Sequence, residues 1–211
     1  MEKKKKMENR KRIIEEIIET EKTYLNHLTL LSENYQAPLL KKKYLTTEES
    51  TSIFSNLTSL LDLHKIFLKD LEEGLEKNKI AEVFEKNSQI FKLYTDYINN
   101  FESGVAKIKN LSKSSKFKNQ LIQLKKESSS NLDFDSLYIS PIQRIPRYQL
   151  LISQLLKETE EQSQDHPKIK RAFLSISETA NYLNETKRKK ENTKQMFSLD
   201  KKLIGKKNFD V

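Results

Sequence analysis

The sequence predicts an all-α fold, an elongated bundle of about six main helices. Three observations point there. Only three glycines and four prolines interrupt 211 residues, so long stretches carry no helix breaker. Apolar residues recur at three- and four-residue spacing over segments of 20–30 residues, well beyond the mean helix length of about 11–12 residues. No segment alternates with period two over a useful length, and no internal repeat of fixed period is visible.

The first helix is expected over about 8–36, from Ile13, Ile14, Ile17, Ile18, Tyr24, Leu25, Leu28 and Leu31. Gln36-Ala37-Pro38 should close it, because the residue before a proline disfavours the helical region. A second helix should start at Thr46, which forms a capping box with Glu49, and run with its apolar stripe to Leu75. A turn near 80–84 precedes a third helix over about 87–110, carrying Phe91, Tyr94, Ile98, Phe101, Val105 and Ile108. A shorter helix is expected over 114–126, then a loop at Ser128-Ser129-Ser130-Asn131. A helix follows to about 160. Asp165 caps the last long helix, with Pro167 in its first turn.

The helix ending near 160 opens with the most informative stretch of the chain, Ser140-Pro141-Ile142-Gln143-Arg144-Ile145-Pro146-Arg147-Tyr148-Gln149-Leu150-Leu151. Pro141 suits a first turn with Ser140 as cap. Pro146, five residues on, must kink the helix or delay its start, at a cost of about 3 kcal/mol. Such a local conflict is where function is to be sought.

Charge and composition narrow the classes. The net charge is +9, and it concentrates at the ends: about +5 in residues 1–12 and about +7 in 187–207, leaving the middle near −3. The ends are either solvated or attracted to an acidic membrane leaflet or partner; no nucleic-acid motif accompanies them. The chain has no cysteine, which excludes disulfide scaffolds, thiolate zinc sites and thiol catalysis. No apolar run reaches the length of about 20 residues needed for a membrane span, and no apolar stretch follows Lys3–Lys6 as a secretory signal would require. A cytosolic compartment is the default. His27, His64 and His166 show no metal-ligand spacing, and no glycine-rich phosphate loop is present.

Two polar placements break the pattern. Glu21 lies on the apolar stripe of the first helix, where a carboxylate needs a partner. It is either paired with a basic residue of a neighbouring helix or set to meet another molecule. Arg147 lies beside an apolar face, as a salt bridge, a cap or a contact residue.

Ile14 to Leu28, read as Ile-Glu-Glu-Ile-Ile-Glu-Thr-Glu-Lys-Thr-Tyr-Leu-Asn-His-Leu, resembles the first homology region of the Dbl-homology domain. Ile53-Phe54 followed by Leu60 to Glu72 resembles the second, and Ser140 to Leu151 the third. The three stand in family order over about 10–190. The resemblance implies an elongated helical bundle that acts as a guanine-nucleotide exchange factor on a Rho/Rac-family small GTPase. It makes and breaks no covalent bond and needs no cofactor of its own, GDP, GTP and magnesium belonging to the GTPase. It also implies that Glu21 contacts switch I, that Arg147 and Asn184 engage switch II, and that Gln143, Arg144 and Pro146 support the site. The domain is expected over 13–190, with 1–12 as a basic lead-in and 191–211 as the end of the last helix and a linker toward a pleckstrin-homology domain. Two alternatives stay open: a helical module that binds a GTPase or scaffold without exchange, and a basic domain that meets anionic membrane, including the plasma membrane, through its two ends.

Overall fold

A computed structural model describes residues 2–128 and 130–206. Among the described residues there is no strand. The helices are α1 (Glu2–Thr29), α2 (Ala37–Lys41), α3 (Thr47–Phe54), α4 (Leu57–Glu76), α5 (Ile80–Asn87), α6 (Tyr94–Leu111), α7 (Ser115–Glu127), α8 (Phe134–Tyr138), α9 (Ser140–Lys157) and α10 (Asp165–Lys206). At 1.5 Å per residue α10 is about 63 Å long, which makes the bundle elongated.

Helix α1 does not stop at Gln36. A π-helical segment, Leu30–Gln36, joins it to α2, with the Ala37 N–H bonded to Ser32 O. Pro38 therefore sits in the first turn of α2 rather than ending the helix. In a regular α-helix its ring would clash with a carbonyl one turn back; the wider π turn relieves that clash. Residues 2–12 are likewise the first turns of α1. Arg10 reaches Asp165 at 2.8 Å and Lys3 reaches Glu160 at 3.4 Å. The expected cap Asp165 thus gives its carboxylate to Arg10. The linker expected at 191–211 is helical through Lys206, and 207–211 lie outside the described residues.

The capping box at Thr46 forms, with Thr46 N–H donating to Glu49 Oε2 at 2.9 Å and Glu49 N–H to Thr46 Oγ1 at 3.1 Å. The second predicted helix is nevertheless two. Ser55 takes a left-handed φ of 52°, and the carbonyls and side chains around the break are bonded by asparagines: Asn56 Nδ2 to Leu93 O at 2.8 Å and Asn100 Nδ2 to Ser52 O at 2.7 Å. Where a turn was expected at 80–84, α5 forms, because Ile80, Ala81 and Phe84 share one buried face. Asn78, at φ 54°, closes α4 just before it. A 3₁₀ segment, Ser88–Leu93, then leads into α6.

The core is laid around α1, which packs on α4 to one side and α9 to the other; α10 lies against α9, α5 and α6. An aromatic cluster of Tyr35, Phe54, Phe134 and Tyr138 fills the end formed by α3, α6 and α8. Tyr138 is fixed there by its hydroxyl, which donates to Ile53 O at 2.7 Å, while its carbonyl accepts from Tyr97 at 2.8 Å. Gly104 makes room for it: a Cβ at 104 would lie 2.0 Å from the Tyr138 hydroxyl oxygen and 3.0 Å from Ile53 O. Gly104→Ala should destabilise the domain by about 1–3 kcal/mol despite its better helix propensity. A urea midpoint equal to or above wild type would show that Tyr138 can move freely.

Candidate functional site

The third homology region forms α9 as a helix with Pro146 in its interior. Pro141 occupies the first turn, but Ser140 does not cap. Its hydroxyl donates backward to Leu137 O at 2.8 Å, tying α9 to α8. The helix is two-faced. Ile142, Arg144, Ile145, Tyr148, Leu151, Ile152 and Leu155 are buried, while Gln143, Pro146, Arg147 and Leu150 form an exposed row.

Glu21 is not on the exposed face. Its side chain has no solvent exposure, so it cannot be the switch-contacting carboxylate expected from the sequence. It lies beneath α9 at the centre of a polar cluster. Arg144 Nη2 donates to Glu21 Oε2 at 2.7 Å, the Tyr148 hydroxyl donates to the same oxygen, and His64 Nδ1 meets Oε1 at 2.6 Å. His64 Nε2 lies 2.8 Å from the Tyr94 hydroxyl, which shares a 3.0 Å hydrogen bond with Tyr24. The Arg144 guanidinium also stacks 4.0 Å from the Tyr148 ring centroid and reaches Thr20 Oγ1 at 2.9 Å. Arg144 thus ties α9 to α1. Gln143, expected to share that work, is exposed instead and makes no side-chain hydrogen bond among the described residues. Pro146 is exposed too. Its part is in the backbone, where it removes one helical N–H.

The physical reason for the reassignment of Glu21 is registry. Ile14, Ile17, Ile18, Glu21, Tyr24 and Leu28 are all buried along one stripe, and Glu21 is in its middle. Burial works to raise its carboxyl pKa. The charges of His64 and Arg144 and the hydrogen bonds to His64 and Tyr148 override that and hold it at about 2, below the ordinary 4.5. Burial works against the Arg144 cation, but Tyr148 and Glu21 keep its pKa above the usual value. Burial likewise lifts the Tyr94 and Tyr148 hydroxyls well above an ordinary phenol, so both remain protonated.

These shifts fix a pH dependence. The folded-state pKa of Glu21 is depressed, so its contribution is complete above pH about 4.5 and is lost as pH falls toward 2. The loss amounts to about 3 kcal/mol by linkage. Urea unfolding across that range should show it, and Glu21→Gln should lack that component. An identical pH slope in the variant would show that other carboxylates account for the loss.

The exposed face lies directly above this cluster. Helix α9 runs antiparallel to α1, as Thr20–Arg144 shows at one level and Glu16–Arg147 at the next. Gln149 Nε2 donates to Ser177 Oγ at 3.3 Å and ties α9 to α10, which packs along it. Arg147 Nη2 stands 4.0 Å from Glu16 Oε1, and both side chains are 54% exposed. Leu150 is 58% exposed, and Leu174 of α10 is 51% exposed within one turn of it along the pair. Asn184 is exposed. Arg147 and Asn184 are thus both exposed, and Arg147 is joined by Glu16, which the sequence reading did not single out. The available signal was the position of Glu16 at the edge, not the centre, of the Ile14–Ile17–Ile18 stripe. Among the described residues no group of His, Asp or Glu is arranged to hold a metal ion, and no helix is long and apolar enough to cross a membrane.

Comparison with known proteins gives this arrangement a family. A RhoGEF domain model matches residues 13–184. The chain is 34% identical over 203 residues to the Rac guanine nucleotide exchange factor JJ of Dictyostelium discoideum, covering 93% of this chain and 17% of that protein. It is 31% identical over 205 residues to the Rho guanine nucleotide exchange factor scd1 of Schizosaccharomyces pombe, covering 95% and 23%. The chain therefore spans under a quarter of the length of these relatives. Among solved structures, autoinhibited Vav1 superposes with a TM-score of 0.81 at 24% identity, over 92% of this chain and 37% of that one. The PDZ-RhoGEF DH/PH domains in complex with GTP-gamma-S-activated RhoA give 0.77 at 22% identity, over 90% and 57%. The solved structures share the fold, and the family match runs from within α1 through α9 into the first half of α10: this chain belongs to the RhoGEF domain family.

Proposed function

We propose that this domain is a guanine-nucleotide exchange factor that docks a Rho/Rac-family small GTPase on the face formed by α1, α9 and α10 and drives GDP release. The observation that carries the reading is the exposed Glu16–Arg147 pair, set beside the unburied Leu150 on helices locked from below by Glu21–Arg144. Exposed apolar side chains next to a polar pair, on a rigid platform, suit a protein partner. Relatives named as Rac and Rho exchange factors support the class of partner.

In this reading Glu16 takes the switch I role that the sequence alone gave to Glu21. Arg147 and Asn184 meet switch II. The domain performs no covalent chemistry. It binds the nucleotide-free GTPase more tightly than the loaded form, so that GTPase-bound nucleotide and exchange factor weaken each other reciprocally. A nucleotide held at about 1 nM is stabilised by roughly 12 kcal/mol, and the docked face must offset much of that by holding the switches in a deformed state. GTP then rebinds and releases the domain.

The test is release of a fluorescent GDP analogue from a panel of Rho- and Rac-like GTPases, with and without residues 1–211. Acceleration with at least one of them is the expected result. Complex formation with nucleotide-free GTPase but no acceleration would replace this reading with that of a binding module.

A further inference from the structure

Charge averaged along the chain places the basicity at its ends, but the middle holds a second, local basic run. Residues 107–126, Lys-Ile-Lys-Asn-Leu-Ser-Lys-Ser-Ser-Lys-Phe-Lys-Asn-Gln-Leu-Ile-Gln-Leu-Lys-Lys, contain seven lysines and no acidic residue. They form the last turn of α6, a tight corner and α7 up to its final residue, Glu127. Six of the seven are exposed. The Lys41–Lys43 corner after α2 joins them: Lys116 lies over the Tyr44 ring at 5.4 Å, and Lys42 reaches Glu127 at 3.8 Å. Lys125 is partly offset by Asp133 at 3.9 Å. Lys109, Lys113, Lys118 and Lys126 have no ion pair among the described residues.

The same corner holds an open groove of about 940 Å³ between α6, α7 and α8. Its walls are mostly apolar, with Asp133 and Asp135 on the α8 side, and Val105 and Ile122, 42% and 47% exposed, lie among Lys109, Lys118 and Lys125. Lysine cations, Lys109 and Lys118 without an ion pair among the described residues, around unburied aliphatic side chains match the boundary of an anionic bilayer, where headgroups meet ammonium groups and the apolar rim enters the interface. The charges are all lysine, which suits phosphate attraction without bidentate recognition. The segment's one aromatic, Phe117, is buried, so no ring is offered to stack on nucleic-acid bases. Helix α7 packs on the π-helical segment, away from the α1–α9–α10 face.

We propose that the α6–α7 corner of this domain is a docking surface for anionic lipid membrane, independent of the GTPase-docking face and of the basic chain ends. The experiment is co-sedimentation of residues 1–211 with phosphatidylcholine vesicles, with and without phosphatidylserine. Binding should require phosphatidylserine and fall with salt. The combined Lys109→Gln, Lys113→Gln, Lys118→Gln and Lys126→Gln variant should lose partitioning at least about tenfold, with its melting temperature and its exchange rate in solution unchanged. Replacing Lys3–Lys6 with glutamine should leave most of the binding. The proposal is overturned if the corner variant partitions like wild type, if the Lys3–Lys6 variant alone abolishes binding, or if vesicles fail to bind while an acidic polypeptide does. None of these outcomes depends on whether the domain accelerates GDP release.

Discussion

Glu21→Ala is expected to cost the domain about 3–5 kcal/mol, the range found when one partner of a buried ion pair is removed. Against a total stability of about 5–15 kcal/mol, that is enough to leave a large unfolded fraction at moderate temperature. The change deletes the acceptor for Arg144 Nη2, the Tyr148 hydroxyl and His64 Nδ1 at once, and it leaves the guanidinium buried without a counter-charge. Arg144 has little reserve, since its Nε is already buried without a hydrogen-bond partner. Exchange activity should fall with the folded fraction rather than ahead of it. Glu21→Leu combined with Arg144→Met should recover part of the loss, because the double change removes both charges from the core. Thermal and urea unfolding of the three variants measure this. A Glu21→Ala protein with wild-type stability and no exchange would return Glu21 to the docking face and overturn the reassignment.

That contrast shows which kinds of information the sequence carries. Helix positions were legible because periodicity and capping are local: Thr46 and Glu49 are three residues apart and close their box with no help from the rest of the chain. The break at Ser55 was not legible, since it depends on Asn100, 48 residues away from the Ser52 carbonyl it satisfies. The continuation through Pro38 depends on a widened turn that proline rules do not anticipate. For Glu21, periodicity placed the carboxylate correctly on the apolar stripe and left two readings open, pairing inside or contact outside. The side chains that decide between them, His64 and Arg144, are 43 and 123 residues distant. Gln143 and Arg144 are adjacent and both polar, yet a rotation of about 100° per residue sends one outward and the other into the core. Arg147, three residues on from Arg144 with Pro146 between, falls on the outer face with Gln143.

Arg147→Glu is expected to lower the exchange rate at least about 100-fold, or nearly 3 kcal/mol of transition-state stabilisation, while leaving the fold intact. Stability should change little because the Glu16–Arg147 pair is more than half exposed, and exposed pairs contribute about 0–1 kcal/mol. The partner, by contrast, would meet two neighbouring carboxylates in place of one charge of each sign, and like charges desolvated at an interface are costly. Glu16→Arg should have a comparable effect. The informative case is the swap, Glu16→Arg with Arg147→Glu. If the pair matters only because each residue holds the other in place, the swap restores the ion pair and with it the activity. If each side chain is read by a different part of the GTPase, the swap restores the pair and leaves exchange as poor as in the single variants. The second result is expected, since the two sit on different helices and the bound switches would approach α1 and α9 from above. Asn184→Ala, which removes one exposed amide and no charge, should lose less, about tenfold. Rates from GDP-release assays, read beside melting temperatures, separate these outcomes, and a swapped variant with near wild-type exchange would reduce the pair to a strut between α1 and α9.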